Sequence, residues 1–519
     1  MKLRKPESWE NTALEALATL TLGGDWGKEP EFDSADYTAA LCIRGSEFRN
    51  WNEDRGRTAS LRKVKKTSLA SRALRIGDIL VEISGGGPDQ PVGRTVLIDK
   101  ISLSHFPNLP KICTNFLRLF RPSGEIDSCY LNLFLQFFYK SGDIRAYQAG
   151  SNNLRNLKFD DYLGIEIPIP PFSEQHRIVA KIEELFSELD KGIENLKTAQ
   201  AQLKVYRQAL LKHAFEGKLT AQWRADNPDK LETADALLKR IQKEREQRYQ
   251  QQVAEWEAGG KQGSKPKVPK QLPLLTSEEL AELPDLPGKW VWVRLASVVT
   301  VLSGYAFKST DFVSNGIPVI KIANIGYSEF VDKDQEYLGY PFVKTHKDFV
   351  VSPDDFLIAL TRPITNNRTK VCRYPKNSPP ALLNQRVAAL KDSALTPDFL
   401  YAFFGSSIFK ELIRSKFSET LQPNLSPKDL EACPVPVCAL AEQSQISGEI
   451  ELRLSEVDQL EKTISDALQQ ADALRQSILK NAFSGQLVPQ DPSDEPASAL
   501  LTRIKAERSA QPTSKKARK

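Results

Sequence analysis

Two stretches of the chain combine basic side chains with residues that can read nucleic-acid bases. The first, Asp54 to Arg75, holds many lysines and arginines and a single acidic residue, a density that suits contacts to phosphate groups. The second, Thr361 to Arg373, joins arginines and a lysine to two asparagines, and Asn384 to Arg386 adds two amides and an arginine. Arginine can bond guanine in a bidentate manner, and asparagine or glutamine can do so with adenine. A charge run is more often a solvated face, but its occurrence in both halves of the chain favours DNA. The candidate DNA-binding residues are Arg57, Arg62, Lys63, Lys65, Lys66, Arg94, Arg362, Asn366, Asn367, Arg368, Lys370, Gln385 and Arg386.

The segment Ile169-Pro170-Pro171-Phe172 resembles the Asn/Asp-Pro-Pro-Tyr/Phe core of adenine methyltransferases. That chemistry needs a polar residue before the prolines, which accepts a hydrogen bond from the target amino group. Ile169 cannot accept one, and no phosphate loop or glycine-rich motif for S-adenosylmethionine is evident. The six cysteines include no Cys-x-x-Cys and are accompanied by only four histidines, so neither a zinc site nor a disulfide framework is indicated. We therefore predict no catalytic residue, no metal site and no cofactor of the chain's own.

Length and composition exclude several classes of protein. A chain of 519 residues exceeds one ordinary hydrophobic core, so two or more domains are expected. No apolar run approaches the roughly 20 residues needed to cross a bilayer, and the first residues lack the apolar segment of a signal peptide. The net charge of +5 is mild and permits a nucleic-acid partner without requiring one. We expect a cytoplasmic protein without a membrane span.

A repeat organises the chain. Residues 156–219 align without a gap with residues 424–487, an offset of 268 (424 minus 156). Within this alignment Glu174-Gln175 recurs as Glu442-Gln443, and "RQALLKHAFEGKL" recurs as "RQSILKNAFSGQL". Fainter matches precede each copy: "GDILVEIS" faces "DDFLIALT", and both indicate a turn followed by a buried strand. Each half is therefore predicted to be a mixed domain followed by a helical segment.

The helical segments carry apolar residues in alternating steps of three and four, the spacing of a coiled-coil seam. Two matched seams in one chain favour pairing with each other, because neither helix otherwise has a domain large enough to bury it. The predicted fold class is α+β, with two mixed domains, each followed by a long helix, and the helices paired as an antiparallel coiled coil with pseudo-twofold symmetry. The predicted interface residues are Leu189, Leu196, Leu203, Tyr206, Leu210, Val457, Leu460, Ile464, Leu474 and Ile478.

Over essentially its whole length this arrangement resembles the specificity subunit of type I restriction-modification enzymes. The resemblance rests on "IPIPPFSEQHRIVAKIEELF" and "PVPVCALAEQSQISGEI", each followed by its helix. It implies two target-recognition domains, each reading one half of a bipartite site in double-stranded DNA, and paired helices that set their spacing. It also implies a non-catalytic subunit that docks two methyltransferase subunits and two restriction/translocase subunits. S-adenosylmethionine, ATP and magnesium are then expected on those partners.

The resemblance and the repeat together suggest domain boundaries. They are a first target-recognition domain at 1–170, a central conserved helical region at 171–245, a linker at 246–283, a second target-recognition domain at 284–438, a C-terminal conserved helical region at 439–510 and a basic tail at 511–519. Two alternatives stay open at this point: a coiled-coil adaptor whose repeated domains bind proteins, and an enzyme that carries its own catalysis. The missing motifs disfavour the enzyme.

Overall fold

The computed structural model describes residues 5–87, 90–150, 155–261, 265–266, 268–269, 272–417 and 423–510. The chain divides into two compact units. The first unit joins Met1–Lys197 to Ser465–Lys519, and the second unit is Thr198–Ile464. Each unit therefore holds one mixed domain and a part of both long helices.

Two helices are far longer than the rest, at 44 residues each. In chain order the helices are α1 Trp51–Asp54, α2 Lys66–Arg72, α3 Lys100–Ser104, α4 Ser128–Lys140, α5 Phe159–Leu163, α6 Phe172–Phe215, α7 Ala221–Asp226, α8 Ala234–Ala258, α9 Ser277–Ala281, α10 Pro341–Thr345, α11 Pro397–Gly405, α12 Ser407–Arg414, α13 Pro427–Ala432, α14 Leu440–Phe483 and α15 Ala497–Ala510. The long helices α6 and α14 each follow a strand directly.

The strands are short and lie in the two mixed domains, as the apolar runs between turn residues predict. They are β1 Glu10–Ala13, β2 Ala18–Gly23, β3 Tyr37–Ile43, β4 Ser60–Lys65, β5 Ile79–Glu82, β6 Ser84–Gly86, β7 Thr95–Leu97, β8 Lys111–Cys113, β9 Leu117–Pro122, β10 Gln148–Ala149, β11 Arg155–Leu157, β12 Glu166–Ile169, β13 Val291–Arg294, β14 Thr300–Ser303, β15 Phe312–Val313, β16 Ile317–Ile320, β17 Glu336–Leu338, β18 Val350–Val351, β19 Phe356–Ala359, β20 Ile364–Thr365, β21 Arg368–Thr369, β22 Val371–Arg373, β23 Ala381–Leu383, β24 Val387–Lys391 and β25 Pro434–Val437.

The first unit contains an antiparallel sheet of order β2-β9-β5-β7 and a second sheet of order β4-β3-β8, in which β3 and β8 are parallel. Its core surrounds the last residue of α14, Phe483. The rings of Tyr130, Phe134 and Phe137 on α4 lie 5.1 to 5.5 Å from the Phe483 ring. Because α15 adds further buried side chains to the same core, the end of the chain completes the domain at its beginning.

The second unit repeats this plan. Its sheet β14-β24-β19-β22 corresponds to β2-β9-β5-β7, and its sheet β15-β17-β16-β23-β18 again contains one parallel pair, β16 with β23. Phe215, the last residue of α6, lies 5.2 and 5.3 Å from the rings of Phe399 and Phe403 on α11. Two mixed domains, each followed by a long helix, are thus present, and the predicted fold class is confirmed.

The repeated Glu-Gln pair joins each mixed domain to its helix. Glu174 accepts hydrogen bonds from Trp9 Nε1 at 3.0 Å and from Gln490 Nε2 at 2.6 Å. Gln175 accepts from the backbone of Asp127 at 2.9 Å and donates to the Pro170 carbonyl at 3.0 Å. Both polar side chains are buried, so their hydrogen bonds offset the cost of leaving water.

The second unit has the same joint with one ionic difference. Glu442 accepts from Trp290 Nε1 at 2.8 Å, from Thr220 Oγ1 at 2.7 Å and from the Arg224 guanidinium at 2.6 Å. Gln443 accepts from the Thr396 backbone at 2.8 Å and donates to a backbone carbonyl, as Gln175 does. The second joint therefore contains a buried ion pair, whereas Glu174 has two neutral partners. Burial raises the pKa of Glu174, opposed by its hydrogen bonds to Trp9 and Gln490.

A glycine after each long helix explains the matching "AFEGKL" and "AFSGQL". Gly217 has φ +68°, and a Cβ there would lie 2.2 Å from Pro287 Cγ; Gly485 has φ +71°, and a Cβ there would lie 2.3 Å from Pro6 Cγ. Only glycine allows both the left-handed turn and this close approach. The prolines belong to two similar segments, "PGKW" (residues 287–290) and "PESW" (residues 6–9), so these segments are part of the same joint.

Several predicted segments lie partly or wholly outside the described residues. The basic tail at 511–519 lies outside them entirely, and the predicted linker at 246–283 lies partly outside. Within that linker, α8 extends to Ala258 and α9 spans Ser277–Ala281. In the part of the chain that is described, no helix is long and apolar enough to cross a membrane.

Candidate nucleic-acid interface

The predicted residues of the second unit converge at one end of the sheet β14-β24-β19-β22. Gln385 and Arg386 form the exposed turn between β23 and β24, and the Arg386 carbonyl accepts a hydrogen bond from Leu360 N at 2.9 Å. Lys370 N donates to the Pro363 carbonyl at 2.8 Å, which holds the segment that begins with Arg362 against the same sheet end. Arg362, Lys370, Gln385 and Arg386 are therefore neighbours, although up to 24 residues of sequence (386 minus 362) separate them.

Asn366 and Asn367 form the turn of the hairpin β20-β21. Their φ angles are 51° and 57°, the conformation of a two-residue type I′ turn, for which asparagine is a preferred residue. Asn367 also accepts a hydrogen bond from Arg414 at 2.8 Å through its side chain and one from Lys410 at 3.2 Å through its carbonyl. Turn geometry therefore accounts for the residue type at both positions, and the side chain of Asn367 is already engaged.

The sequence did not predict three residues that contact this hairpin, which are Tyr327, Lys410 and Arg414. The guanidinium of Arg368 lies 4.8 Å from the ring centroid of Tyr327, and Lys410 and Arg414 on α12 hold the turn from the other side. Burial and the neighbouring charge of Arg414 lower the pKa of Lys410. Arg414 follows Asn367 by 47 residues, so no local pattern links them.

Two of the predicted residues in the first unit are structural. Arg62 is 6% exposed; it stacks on Trp26 at 4.2 Å and pairs with Glu29. Arg94 donates to Glu82 through two nitrogens and to the Gly45 carbonyl at 3.0 Å. In this arrangement the Arg62 guanidinium is held by the Trp26 carbonyl and Glu29, and the Arg94 guanidinium by Glu82 and the Gly45 carbonyl. Arg62 and Arg94 therefore bind partners within the first unit, and their contact with DNA stays a prediction.

The other basic residues of the first unit lie at two places. Arg57 is exposed in the loop before β4, with Asp54 3.7 Å from its guanidinium. Lys65 and Lys66 are exposed at the far end of β4, where Lys65 faces Tyr37, and Lys63 is half-buried between them and Ser60. Five strand steps separate Lys65 from Ser60, about 16 Å. The lysines thus form a patch away from the sheet end that carries Arg57.

The seam of the long helices differs in register from the prediction. Tyr206, Leu460 and Leu474 are 42%, 51% and 51% exposed, so they lie outside it. On α6, Leu189, Leu196, Leu203 and Leu210 lie on the half-buried or buried face with Arg207. The seam of α14 therefore includes two charged side chains among apolar ones. Its buried or half-buried positions include Val457, Glu461, Ile464, Leu468, Ala471, Arg475 and Ile478.

The charged seam positions form matching ion pairs in the two units. In the second unit Arg207 pairs with Asp458 and, at 3.1 Å, with Glu461. In the first unit Arg475 pairs with Asp190. Arg475 and Asp458 stand 268 residues after Arg207 and Asp190 (475 minus 207; 458 minus 190). The repeat therefore keeps the arginine–aspartate pair, with the arginine on α6 in the second unit and on α14 in the first. Within each unit opposite ends of the two helices pack together: the start of α6 (Ile178) with the end of α14 (Phe483) in the first unit, and the end of α6 (Phe215) with the start of α14 (Ile446) in the second.

The proline pair that resembles a methyltransferase motif is the start of a helix. Ile169 is buried in β12, the Pro170 carbonyl accepts from Gln175, and the Pro171 carbonyl accepts from Gln175 N at 3.0 Å. Ile169, the residue before the prolines, has no polar side-chain atom that could accept a hydrogen bond from an amino group. Among the described residues, no cluster of three or more histidine, cysteine or acidic side chains could hold a metal ion.

Comparison with known proteins assigns this architecture. Residues 8–198 and 287–470 match the model of the type I restriction modification DNA specificity domain. The EcoAI specificity subunit of Escherichia coli is 26% identical over 528 residues, which cover 91% of this chain and 83% of the relative. The EcoKI specificity subunit of Escherichia coli K12 is 24% identical over 536 residues, covering 99% and 98%.

Two solved structures share the fold. A structure described for complex assembly and conformational transition of the type I R-M system has a TM-score of 0.60 and 18% identity, covering 94% of this chain and all of that one. The crystal structure of the HsdS subunit from Thermoanaerobacter tengcongensis has a TM-score of 0.54 and 19% identity, covering 93% and 98%. The adaptor alternative is not favoured by these matches. With both mixed domains inside the matched stretches, the chain belongs to the family of type I restriction-modification DNA specificity subunits.

Proposed function

We propose that each unit of this specificity subunit reads one half of a bipartite DNA target. The observation that carries the proposal is the sheet end of the second unit, where exposed Arg362, Gln385 and Arg386 come together with half-buried Lys370. These side chains can bond base edges and phosphates in the major groove. The two units share a scaffold but differ in these residues, as two readers of an asymmetric target would.

The basic residues fall into two proposed roles. Gln385 and Arg386 read bases, and Arg362, Asn366, Arg368 and Lys370 contact the DNA beside them. In the first unit Arg57 and the patch of Lys63, Lys65 and Lys66 contact phosphates without sequence preference. We further propose the boundaries at 170, 245, 283, 438 and 510 as limits of recognition domains, helical regions, linker and tail.

Catalysis is proposed to lie in partner subunits. Two methyltransferase subunits and two restriction/translocase subunits would bring S-adenosylmethionine, ATP and magnesium, in the cytoplasm. Tyr206 and Leu474 support a pair of identical partners: they are repeat equivalents (474 minus 206 is 268), and both are exposed apolar residues on the long helices. Exposed apolar side chains at matching positions favour two equivalent contacts for one kind of partner.

The proposal is tested by mapping N6-methyladenine in cells that express this chain with its methyltransferase subunit. A bipartite motif should disappear when the chain is deleted. Gln385→Ala with Arg386→Ala should alter one half of that motif and leave the other half intact. A motif that is independent of the chain, or equal changes in both halves, would overturn the proposal.

The lysine patch needs a control for charge. Lys65→Ala with Lys66→Ala should weaken DNA binding for all sequences and reduce the slope of affinity against salt by up to about 2, one for each phosphate that is no longer bound. Lys239→Ala with Lys243→Ala removes the same charge from exposed positions of α8 and should leave that slope unchanged. Equal effects would show that only net charge matters.

The hairpin needs a control for backbone strain. Alanine at position 366 or 367 would strain a turn with positive φ, whereas glycine keeps the turn and removes the side chain. Asn366→Gly and Asn367→Gly should therefore preserve the fold. If both glycine variants also preserve the methylated motif, these asparagines serve the turn alone.

A further inference from the structure

The first unit contains a turn with the same backbone as the Asn384–Arg386 turn. Thr114 N donates to the Ile43 carbonyl at 2.9 Å, as Asn384 N does to the Ile320 carbonyl at 3.0 Å. Ile83 N donates to the Phe116 carbonyl at 2.9 Å, as Leu360 N does to the Arg386 carbonyl at 2.9 Å. Thr114, Asn115 and Phe116 therefore correspond to Asn384, Gln385 and Arg386. Each turn follows a strand of a parallel pair, β8 or β23, and precedes a strand of the four-stranded sheet, β9 or β24.

A glycine beneath each turn confirms the correspondence independently. A Cβ on Gly24 would lie 2.0 Å from the Thr114 carbonyl oxygen, and a Cβ on Gly304 would lie 2.1 Å from the Asn384 carbonyl oxygen. Gly24 N and Gly304 N donate to the residue after each turn, Leu117 and Val387, both at 3.2 Å. The backbone passes so close beneath both turns that each is fixed in position.

Asn115 and Phe116 have no structural reason for their residue types. Both are exposed, Phe116 to 54%. Asn115 makes no side-chain hydrogen bond to any residue that the structure describes, and its φ is not positive, so neither packing nor turn geometry requires asparagine. An exposed amide next to an exposed ring can bond an adenine edge and contact a thymine methyl group.

Ile83 joins this turn to β11, a strand that begins with Arg155. Ile83, which bonds Phe116, also accepts a hydrogen bond from Leu157 N at 2.8 Å, and this brings β11 beside the turn. A cavity of about 110 Å³ beside the sheet β10-β11-β6 is lined by Gly87, Pro91, Arg145, Gln148 and Arg155. Arg155 Nε and Gln148 Nε2 are buried there without a hydrogen-bond partner among the described residues. Donors of this kind suit a phosphate oxygen of a nucleic-acid backbone.

We infer that the Thr114–Phe116 turn is the base-reading element of the first unit, with Asn115 bonding an adenine in double-stranded DNA. The inference rests on the proposed function and deepens it. Arg94, which the sequence predicts as a DNA contact of the first unit, is bound to Glu82. Asn115 and Phe116, which the charge pattern did not indicate, take the base-reading role instead. Arg145 and Arg155 contact a phosphate next to the base that Asn115 reads.

The test uses the full chain with its methyltransferase subunits and maps methylated motifs. Asn115→Ala should make one base pair of one half-site degenerate, with discrimination there reduced roughly tenfold to a hundredfold, the value of one bidentate contact. Asn115→Asp should shift preference at that position toward cytosine, whose amino group donates to a carboxylate. The other half-site should not change. Asn195→Ala, on an exposed face of α6, is the matched control and should leave the motif intact.

The outcomes separate the inference from the proposed function. If both Asn115 variants keep the wild-type motif while the Gln385 and Arg386 variants alter their half, the inference fails and the proposed function stands. If no bipartite motif depends on the chain at all, the proposed function fails first. Loss of all methylation by folded Asn115→Asp would also count against a reading role, since a reader changes the target and not the activity.

Discussion

The buried ion pair in the second joint makes an asymmetric stability prediction. Glu442→Gln removes the charge that Arg224 faces at 2.6 Å, where the two side chains are 16% and 1% exposed. Breaking a buried pair by removing one partner costs about 3 kcal/mol or more, because the other charge stays buried. The same change at Glu174 strands no cation, since Trp9 and Gln490 are neutral donors. Its expected cost is about 1 kcal/mol, because the amide nitrogen of glutamine cannot accept one of the two hydrogen bonds that the carboxylate accepts.

Hydrogen exchange measured by mass spectrometry reads the two joints separately. Exchange in peptides that contain β13 and β25 should accelerate about a hundredfold in Glu442→Gln, since 1.4 kcal/mol corresponds to tenfold. Peptides that contain β1 and β12 should accelerate about fivefold in Glu174→Gln. Adding Arg224→Met to Glu442→Gln should recover part of the protection, because no unpaired ion is left. Equal acceleration in the two single variants would refute the assignment of the cost to the stranded Arg224.

Three other predictions concern the helices and pH. Arg207→Ala should lower the free energy of unfolding by about 1 kcal/mol and Arg475→Ala by less, because Arg207→Ala leaves Glu461 unpaired in the seam; urea unfolding at two salt concentrations measures this. The raised pKa of Glu174 means that the folded state holds the proton of this carboxyl more tightly than the unfolded state does. Protection of β1 and β12 from hydrogen exchange should therefore rise as the pH falls through that raised pKa, and it should level off below pH 4.5. Glu174→Gln should remove this pH dependence, and a pH dependence that persists in the variant would point to another group. Inserting seven residues in both long helices keeps the seam in register and adds about 10 Å; methylation mapping should show a longer spacer between unchanged half-sites, and an unchanged spacer would exclude the helices as its determinant.

The repeat made the architecture predictable from the sequence. Glu174-Gln175, their copies and the trailing glycines recur because each holds a buried hydrogen bond or a close backbone approach, which tolerates few substitutions. The turn-and-strand segments "GDILVEIS" and "DDFLIALT" became β5 and β19, internal strands of the two four-stranded sheets. Positions under such constraints carry matching residues in both copies of the repeat.

The register of the helix seam and the state of individual arginines could not be predicted. From Val457 the next seam position can be Leu460, three residues on, or Glu461, four residues on, and apolar spacing alone favours Leu460. In the structure Glu461 and Arg475 lie in the seam because they form ion pairs with residues of the other helix. Arg62 and Arg94 look like free cations in sequence because Glu29 and Glu82 lie 33 and 12 residues away. Long-range pairing decides exposure, and single-sequence charge patterns do not contain it.

The closing of the first core by Phe483 has a consequence for biosynthesis. Residues 198–464 are contiguous, so the second unit can complete its core while the chain is still being made. The first unit must wait for the segment from residue 465 onward, with Phe483, Leu500 and Ile504, to leave the ribosome. The domain that is translated first is therefore finished last and exposes apolar surface during the interval, the condition under which nascent chains aggregate or engage chaperones. A chain that stopped before Phe483 would then lack part of the core of the first unit.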